Sequence, residues 1–279
     1  MDISIAAYSF HGLREAGLMD GFGYLETVKY RYGLDTADIW NGILGPDEII
    51  LQPDYRKKLT AALAEREMSV ANYHADGCHV WEDDPELREK HRQSALAHLH
   101  FAETIDAKTV RIDAGGQGNT WTEEQFDHIV ERMREFAEIG WNAGFRVGPE
   151  SHWGPELVPD NMERLARAVD HPGFGILLHL GHWENAPIEE GDRRLAPWAI
   201  HTHVDAKTTE TRLESAMRIL LEAGYTGYWG VEHHSGRNEY AEVEYQLAEV
   251  RRVLSRIRLG IEEYRQQLQA DDNPLIPHA

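Results

Sequence analysis

The sequence predicts a single (β/α)8 barrel, the α/β fold in which eight parallel strands alternate with eight helices. Three observations support this prediction. The length of 279 residues fits one barrel of ordinary size. Short apolar runs alternate with amphipathic segments along the chain, as expected for parallel strands joined by helical crossovers. Four of these runs end in Glu or His, and barrel enzymes assemble their active sites at the C-terminal ends of the strands.

Eight short runs rich in apolar residues are predicted to be strands. In chain order they are Ile3–Phe10, Leu34–Trp40, Ser69–His74, Thr109–Asp113, Phe145–Glu150, Phe174–His179, Ala199–Val204 and Tyr228–Glu232. The connections over residues 42–53, 75–83 and 115–118 are rich in Gly, Pro or polar residues and are predicted to be loops.

The segments between the strands carry helix-start and helix-stop signals. Asp84 before Pro85 supplies an N-cap and a first-turn proline, and Thr122 with Gln125 has the spacing of a capping box. The predicted helices are Phe22–Tyr32, Asp54–Arg66, residues 85–105, residues 122–143, Pro159–Val169, Glu210–Ala223 and Glu239–Gln269. The connection after the sixth strand, through residue 191, is predicted to be poorly helical. We expect the barrel to span residues 1–269 and residues 270–279 to form a polar tail outside the fold.

The composition narrows the class of protein. The formal net charge is −20 and only six lysines occur, whereas a nucleic-acid-binding surface is basic. Cys78 is the single cysteine, which excludes an internal disulfide and favours a reducing compartment. Met1 is followed directly by Asp2 without a secretory leader pattern, and no run approaches the ~20 apolar residues that cross a bilayer. We therefore expect a soluble, cytoplasmic protein that binds neither nucleic acid nor membrane.

Four strand ends in the second half of the chain carry residues that bind divalent cations. Glu150, His179, His203 and Glu232 are separated by 29, 24 and 29 residues, close to one strand–helix unit per step. Neighbouring parallel strands lie about 4.8 Å apart, so side chains on four successive strand ends can reach one ion. Imidazole and carboxylate together suit Mn, Fe, Co or Zn. Two structural roles without a metal stay open here: an ion pair between each glutamate and an arginine, and a hydrogen-bonded core position for each histidine.

Several segments resemble the xylose-isomerase-like TIM barrels. They are Val147-Gly-Pro-Glu-Ser-His152, Leu178-His-Leu-Gly-His182, Ile200-His-Thr-His203, Arg111-Ile-Asp-Ala-Gly-Gly116 and Gly224-Tyr-Thr-Gly-Tyr-Trp-Gly-Val-Glu232. The resemblance covers residues 1–258 and is strongest in the segment that ends at Glu232. This superfamily contains sugar phosphate isomerases and epimerases, ketose 3-epimerases, inosose dehydratases and endonuclease IV.

The resemblance implies a metal centre with the ligand pattern Glu, Asp, His, Glu around Mn²⁺ or a related ion. That pattern corresponds here to Glu150, His179, His203 and Glu232. Manganese is thus the first choice of cofactor, with Co²⁺, Ni²⁺ or Zn²⁺ as alternatives. His179 stands where the family has an aspartate, which removes one negative charge and shifts preference away from Mg²⁺. Either His179 binds the ion, or three protein ligands remain.

Further side chains are predicted to surround the ion. The resemblance implies acid/base roles for Glu150 and Glu232, and His182 matches a family histidine that touches substrate. Lys207 follows the seventh strand, and it either contacts the substrate, with an acid/base role possible, or is a solvated loop lysine. The predicted substrate-binding residues are His152, His74, Trp40, Tyr8 and Trp183, with His79 and Trp81 in the same pocket wall. For His152 and His182 the alternative is a hydrogen bond to a metal ligand. His233 and His234 are expected to be loop residues.

From the resemblance we expect a divalent-metal-dependent isomerase or epimerase that acts on a ketose, keto-sugar or related polyol by removing a proton next to a metal-polarised carbonyl. The alternative is a metal-dependent lyase or dehydratase that eliminates an oxygen substituent from a 3-keto-glycoside or inosose. DNA hydrolysis of the endonuclease IV type conflicts with the acidic charge, and a barrel that only binds a sugar is a further class. The expected partner is a small sugar, preferably unphosphorylated, and a homo-oligomer is compatible with the sequence.

Overall fold

Eight parallel strands alternate with helices in the computed structural model, which describes residues 2–271. The strands are β1 Ile3–Ile5, β2 Thr36–Trp40, β3 Ser69–His74, β4 Thr109–Arg111, β5 Arg146–Gly148, β6 Ile176–His179, β7 Ala199–Val204 and β8 Trp229–Val231. The chain is a (β/α)8 barrel, which confirms the predicted fold class. Each observed strand lies within its predicted run, and several are shorter. β2 and β6 start two residues later than predicted, and Ala7–Phe10, predicted as the end of the first strand, forms a 3-10 helix.

Backbone pairing divides the barrel wall into two arcs. One arc has the order β1-β8-β7-β6 and the other the order β2-β3-β4-β5. Isolated backbone bridges join the two arcs. One of them, between Ala6 and Asp38, joins the β1 and β2 sides, and two more cross between the β5 and β6 segments. At the first seam Tyr24 completes the ladder with its side chain, because its hydroxyl donates to Ile5 O at 2.6 Å and accepts from Asp38 N at 2.8 Å. The strand order therefore runs once around the barrel.

The helices follow the predicted alternation. They are α1 His11–Glu15, α2 Gly21–Glu26, α3 Asn41–Leu44, α4 Asp47–Ile50, α5 Pro53–Glu65, α6 Pro85–Thr104, α7 Glu123–Ala143, α8 Pro159–Val169, α9 Ile188–Leu195, α10 Ala206–Thr211, α11 Leu213–Glu222 and α12 Glu239–Asp271. The predicted N-caps are confirmed. Asp84 accepts a hydrogen bond from Glu86 N at 2.9 Å, and Thr122 and Gln125 form both hydrogen bonds of a capping box.

The structure corrects three predicted connections. Residues 188–195 form α9 rather than a poorly helical link, because tertiary contacts stabilise this short helix. Gly191 has no Cβ, which lets the Trp183 ring pack where a Cβ would lie 2.4 Å from its Cδ1 atom. Asp192 pairs with Arg212. The helix predicted over residues 210–223 is instead α10 and α11, which break at Arg212, and the predicted loop 42–53 contains α3 and α4.

Two sequence-based expectations concern the chain outside the barrel. The predicted tail, residues 270–279, lies outside the described residues except for its first two positions, which end α12. Within the described residues, we find no helix with the length and apolar character that a membrane crossing requires.

The barrel places the predicted ligands just beyond or at the ends of its strands. Large side chains such as Trp229 and Phe136 are at most 1% exposed, and each contributes about 1.5–3 kcal/mol through burial. Glu150 follows β5 and forms a bridge with Leu177. Glu232 follows β8, and its backbone N–H donates to Val204 O at 3.0 Å. These backbone contacts fix the two glutamates at one end of the barrel.

Candidate metal centre

The four predicted metal ligands come together at the C-terminal ends of β5 to β8. One ligand atom from each of Glu150, His179, His203 and Glu232 lies within 4.8 Å of the other three. All four residues are buried, with at most 5% of their surface exposed. Buried carboxylates and imidazoles require partners, and here they are partners of one another.

The Nδ1 atoms of both histidines face the two glutamates. His203 Nδ1 lies 2.7 Å from Glu150 Oε1 and 3.2 Å from Glu232 Oε2. His179 Nδ1 lies 3.0 Å from Glu150 Oε1 and 3.5 Å from Glu232 Oε2. Ligand atoms arranged tetrahedrally about 2.1 Å from an ion are about 3.4 Å apart, so small outward shifts make room for one. Two carboxylates and two imidazoles fit a first-row divalent cation.

The ionisation of these groups is linked. Burial by itself raises the pKa of Glu150 and Glu232, but His203 and the other neighbouring histidines together outweigh burial and hold both pKa values well below the ordinary value. Burial lowers the pKa of His203, whereas the two glutamates raise it well above its ordinary value. Burial lowers the pKa of His179 to about 4, so its imidazole is neutral at pH 7. Two carboxylates and one imidazolium leave a negative charge that a bound cation would offset.

The two glutamates differ in how their oxygens are held. Glu150 Oε1 faces both histidines, and its Oε2 lies 3.6 Å from both Arg111 Nε and His152 Nδ1. Glu232 Oε2 faces the same two histidines and accepts from His234 Nε2 at 2.9 Å. In the part of the chain that the structure describes, Glu232 Oε1 forms neither a hydrogen bond nor an ion pair. Glu232 also lines the pocket.

Two further histidines flank His179. The ring centroids of His179 and His182 are 3.6 Å apart, and those of His179 and His234 are 5.2 Å apart. His182 Nε2 also contacts Asp205 Oδ2 at 3.2 Å. His234 lies in the loop after β8, as expected, and from there it lines the pocket and contacts Glu232. Its position two residues after Glu232, on the same side of an extended chain, is the signal that could have indicated this.

Glu150, His179 and Glu232 line a pocket of about 650 Å³, and His203 lies buried behind them. We call Glu150, His179, His203 and Glu232 the metal wall. The opposite wall consists of residues from β1 to β4 and their following loops. Its members at the pocket surface are Tyr8, Trp40, His74, Asp76, Gly77, His79, Arg111 and Asp113. His152 and Trp153 line the pocket beside Glu150, and His182 and His234 line it beside His179.

Arg111 is the charged centre of the opposite wall. Its Nη1 lies 2.7 Å from Asp113 Oδ2, and its Nη2 pairs with Asp76. Asp76 also accepts from Trp40 Nε1 at 2.5 Å. Burial lowers the pKa of Arg111, but Asp113 and Asp76 outweigh it and raise the pKa further above its ordinary value. Sequence reasoning assigned no site role to Arg111, Asp113 or Asp76, although Arg111 and Asp113 alternate at the end of a strand and therefore share a face.

Three residues predicted around the pocket lie elsewhere. Lys207 is exposed in the first turn of α10 and does not line the pocket. Trp183 is buried and donates to Asp192 Oδ1 at 2.8 Å, so it packs α9 against the barrel. Trp81 is buried under Arg88, whose guanidinium lies 4.1 Å from the ring centroid. The other predicted substrate-binding positions, including His74, Trp40, Tyr8 and His152, do line the pocket.

Known proteins resemble this chain in sequence pattern and in fold. A family model described as xylose isomerase-like TIM barrel matches residues 30–257. Curated protein sequences give no match. The solved 3-keto-D-glucoside 4-epimerase from E. coli has a TM-score of 0.69 at 14% identity, covering 90% of this chain and 98% of that one.

Two more solved structures are similar to the same extent. The probable 3-DHS dehydratase from Bacillus anthracis has a TM-score of 0.66 at 16% identity, covering 89% of this chain and 98% of that one. A xylose isomerase-like TIM barrel protein from Mycobacterium smegmatis, in complex with magnesium, has a TM-score of 0.65 at 19% identity, covering 82% of this chain and 88% of that one. At these identities the likeness shows the fold alone.

Proposed function

Because the chain belongs to the xylose isomerase-like TIM barrel family, we propose that it is a divalent-metal-dependent isomerase or epimerase that acts on a ketose, keto-sugar or related polyol. The observation that carries this proposal is the convergence of Glu150, His179, His203 and Glu232 beside a pocket of about 650 Å³. Pockets of this size are typical of small-molecule sites.

The metal wall would hold the ion through two glutamate oxygens and the Nδ1 atoms of two histidines. Mn²⁺ is the first choice, with Co²⁺, Ni²⁺ or Zn²⁺ as alternatives, because the donor set mixes imidazole with carboxylate. When bound, the ion acts as a Lewis acid that polarises a substrate carbonyl and acidifies the neighbouring C–H. His179 is proposed as a ligand because its Nδ1, like that of His203, faces Glu150 Oε1 and Glu232 Oε2.

Glu232 is the residue that removes the proton. Its Oε1 is free of protein partners within the described residues, whereas its Oε2 is held by His203 and His234. The surrounding imidazoles keep Glu232 ionised, as its lowered pKa indicates, so it can accept a proton at neutral pH. Glu150 follows β5, at the opposite end of the ligand set from Glu232, which follows β8. In epimerisation, we assign to Glu150 the return of a proton to the substrate carbon.

The pocket favours an uncharged sugar over a sugar phosphate. Among the described residues, Arg111 is the single Arg or Lys that lines the pocket, and Asp113 and Asp76 already neutralise it. A phosphate dianion would therefore meet carboxylates without a free cationic partner. The Gly115–Gly118 loop is outside the pocket lining, so it supplies no phosphate nest there. Tyr8 and Trp40 offer aromatic faces to the apolar faces of a sugar ring.

Elimination is the second candidate function, and His152 is the observation that favours it. His152 lines the pocket, and its Nδ1 lies 3.6 Å from Glu150 Oε2, beside the metal wall. A protonated imidazole there would give its proton to a departing hydroxyl or glycosyl oxygen after the proton next to the carbonyl has been removed. The products would then be an enone and water or a free alcohol.

A deuterium-exchange screen tests both functions. Ketoses and 3-keto-glycosides are incubated in D₂O with the protein and Mn²⁺, and NMR follows each C–H position. Deuterium incorporation with a stereochemical or carbonyl shift indicates isomerisation or epimerisation, and loss of an oxygen substituent indicates elimination. Chelator-treated protein is the control. A protein that binds no divalent cation and exchanges no substrate proton would refute the proposal.

A further inference from the structure

We infer that Asp38, in β2, is a positioning residue that fixes the orientation and tautomer of the metal ligand His203 and thereby sets the affinity of the metal centre. This inference rests on the proposed metal centre. It concerns a residue that is remote from the ligands in sequence and lies beneath them in the barrel.

Asp38 is a carboxylate kept in the interior by four hydrogen-bond donors. It is fully buried, and its Oδ2 accepts from His201 Nε2 at 2.6 Å and from Ser4 Oγ at 3.2 Å. Its Oδ1 accepts from His74 Nε2 at 2.6 Å and from Asn72 Nδ2 at 3.2 Å. A buried carboxylate without such partners would be expelled or neutralised. The donors lie on three strands. β1 and β3 are the neighbours of β2, and β7 lies across the barrel.

His203 joins this carboxylate to the metal wall. Its Nε2 is buried, forms no hydrogen bond within the described residues, and lies 3.5 Å from Asp38 Oδ2. Its Nδ1, at the other side of the ring, lies 2.7 Å from Glu150 Oε1. A neutral imidazole has one N–H and one lone pair, so a proton on Nε2 leaves Nδ1 free to bind an ion. A carboxylate facing Nε2 favours this tautomer and makes the ligand more basic.

Asp38 also holds His203 through its neighbours. The His74 ring, bonded to Asp38, stacks on the His203 ring with centroids 4.9 Å apart and planes 11° apart. The His201 ring, also bonded to Asp38, meets His203 edge-on with centroids 5.6 Å apart. One buried carboxylate thus fixes three imidazoles, and His203 is the one that reaches the metal wall.

His179 provides the internal contrast. Its Nδ1 faces the same glutamates, but its Nε2 is buried without a hydrogen-bond partner in the described part of the chain. Ring stacking with His182 orients it, and Asp205 lies within 4.8 Å of one of its ring nitrogens. The two histidines therefore face different carboxylates, and it is His203 whose Nε2 lies at ion-pair distance from Asp38.

The test compares Mn²⁺ binding to metal-free full-length wild type and Asp38→Asn by isothermal titration calorimetry. Asparagine keeps the shape but removes the charge, so we expect affinity to fall about 10–100-fold. Ser4→Ala is the matched control, since it removes a buried donor to Asp38 but leaves Asp38 and the three imidazoles in place. We expect that control to bind Mn²⁺ within about 3-fold of wild type.

A spectroscopic measurement on wild type keeps the inference testable if Asp38→Asn does not fold. In the Zn²⁺-loaded protein, ¹⁵N NMR of the imidazoles should show His203 protonated at Nε2. A His203 protonated at Nδ1, or equal Mn²⁺ affinity in wild type and Asp38→Asn, would overturn the inference. If wild type itself binds no Mn²⁺, the proposed metal centre fails instead.

Discussion

The metal wall and the opposite wall of the pocket differ in construction and in the cationic groups that pair with their carboxylates. The metal wall takes one side chain from each of four consecutive strand ends, and its members contact each other. The opposite wall comes from other strand ends and from loops, and its guanidinium, Arg111, is paired with Asp113 and Asp76. Each wall has two carboxylates, but Arg111 is a permanent cation, whereas an imidazole of the metal wall can give up its proton to the metal ion proposed above. Changes in the metal wall should alter ion binding and proton transfer, and changes in the opposite wall should alter substrate affinity.

The largest effect is expected from Glu232→Gln in the metal wall. The amide cannot accept a proton, so exchange of the substrate C–H with deuterium should fall about 10²–10⁴-fold. NMR measures the exchange, and elemental analysis checks that metal is retained. Glu244→Gln, an exposed position in α12, is the control and should exchange like wild type. Unchanged exchange in Glu232→Gln would exclude Glu232 as the base.

The next effect concerns pH and the two histidine ligands. The pKa of His203 is raised, so at pH 7 the ion must displace a proton from it, and Mn²⁺ affinity should rise about tenfold per pH unit until that pKa is passed. The pKa of His179 is about 4, so His179 is already neutral above about pH 5 and releases no proton. Calorimetry in buffers of different ionisation enthalpy should therefore count about one proton per ion. A count of two would mean that His179 is also protonated, and a count of zero would remove His203 from the ligand set.

His179→Asp sharpens the description of the metal wall. It adds one negative charge to the ligand set, so metal should still bind, with the ratio of Zn²⁺ to Mg²⁺ affinity lowered about tenfold. Competition titrations of the two ions on variant and wild type measure this ratio. Complete loss of metal affinity in the variant would contradict the proposed role of this position.

Trp40→Ala probes the opposite wall. The loss of one aromatic contact to a sugar is worth about 1–1.5 kcal/mol, so KM should rise about tenfold while Mn²⁺ affinity stays at the wild-type level. Steady-state kinetics and calorimetry give the two values. If Trp40→Ala weakened Mn²⁺ binding to the same extent as substrate binding, the assignment of ion binding to the metal wall and substrate binding to the opposite wall would be wrong.

The smallest effect is expected at a position outside both walls. The place of Lys207 after the seventh strand predicts a contact with substrate, but its side chain is exposed and away from the pocket. Lys207→Ala should therefore keep kcat/KM within about 2-fold of wild type. A loss greater than tenfold would show that the α10 turn approaches the substrate during the reaction.

The sequence by itself determined the barrel, most helix caps and the identity of the four strand-end residues. These features depend on local signals, because hydrophobic period, an Asp–Pro N-cap or a capping box is encoded within a few residues. The even spacing of Glu150, His179, His203 and Glu232 was sufficient to place them on one rim, since parallel strands bring their C-terminal ends together.

Only the tertiary structure decided which other side chains support that rim. Asp38 and His201 are 163 residues apart, and no local pattern pairs them. The same holds for α9, which forms because Asp192 meets Arg212 and Gly191 admits a tryptophan ring. Buried polar groups must be satisfied by whichever partners the closed barrel brings within reach. Periodicity places a residue on a face, but the partner across the barrel is chosen by packing.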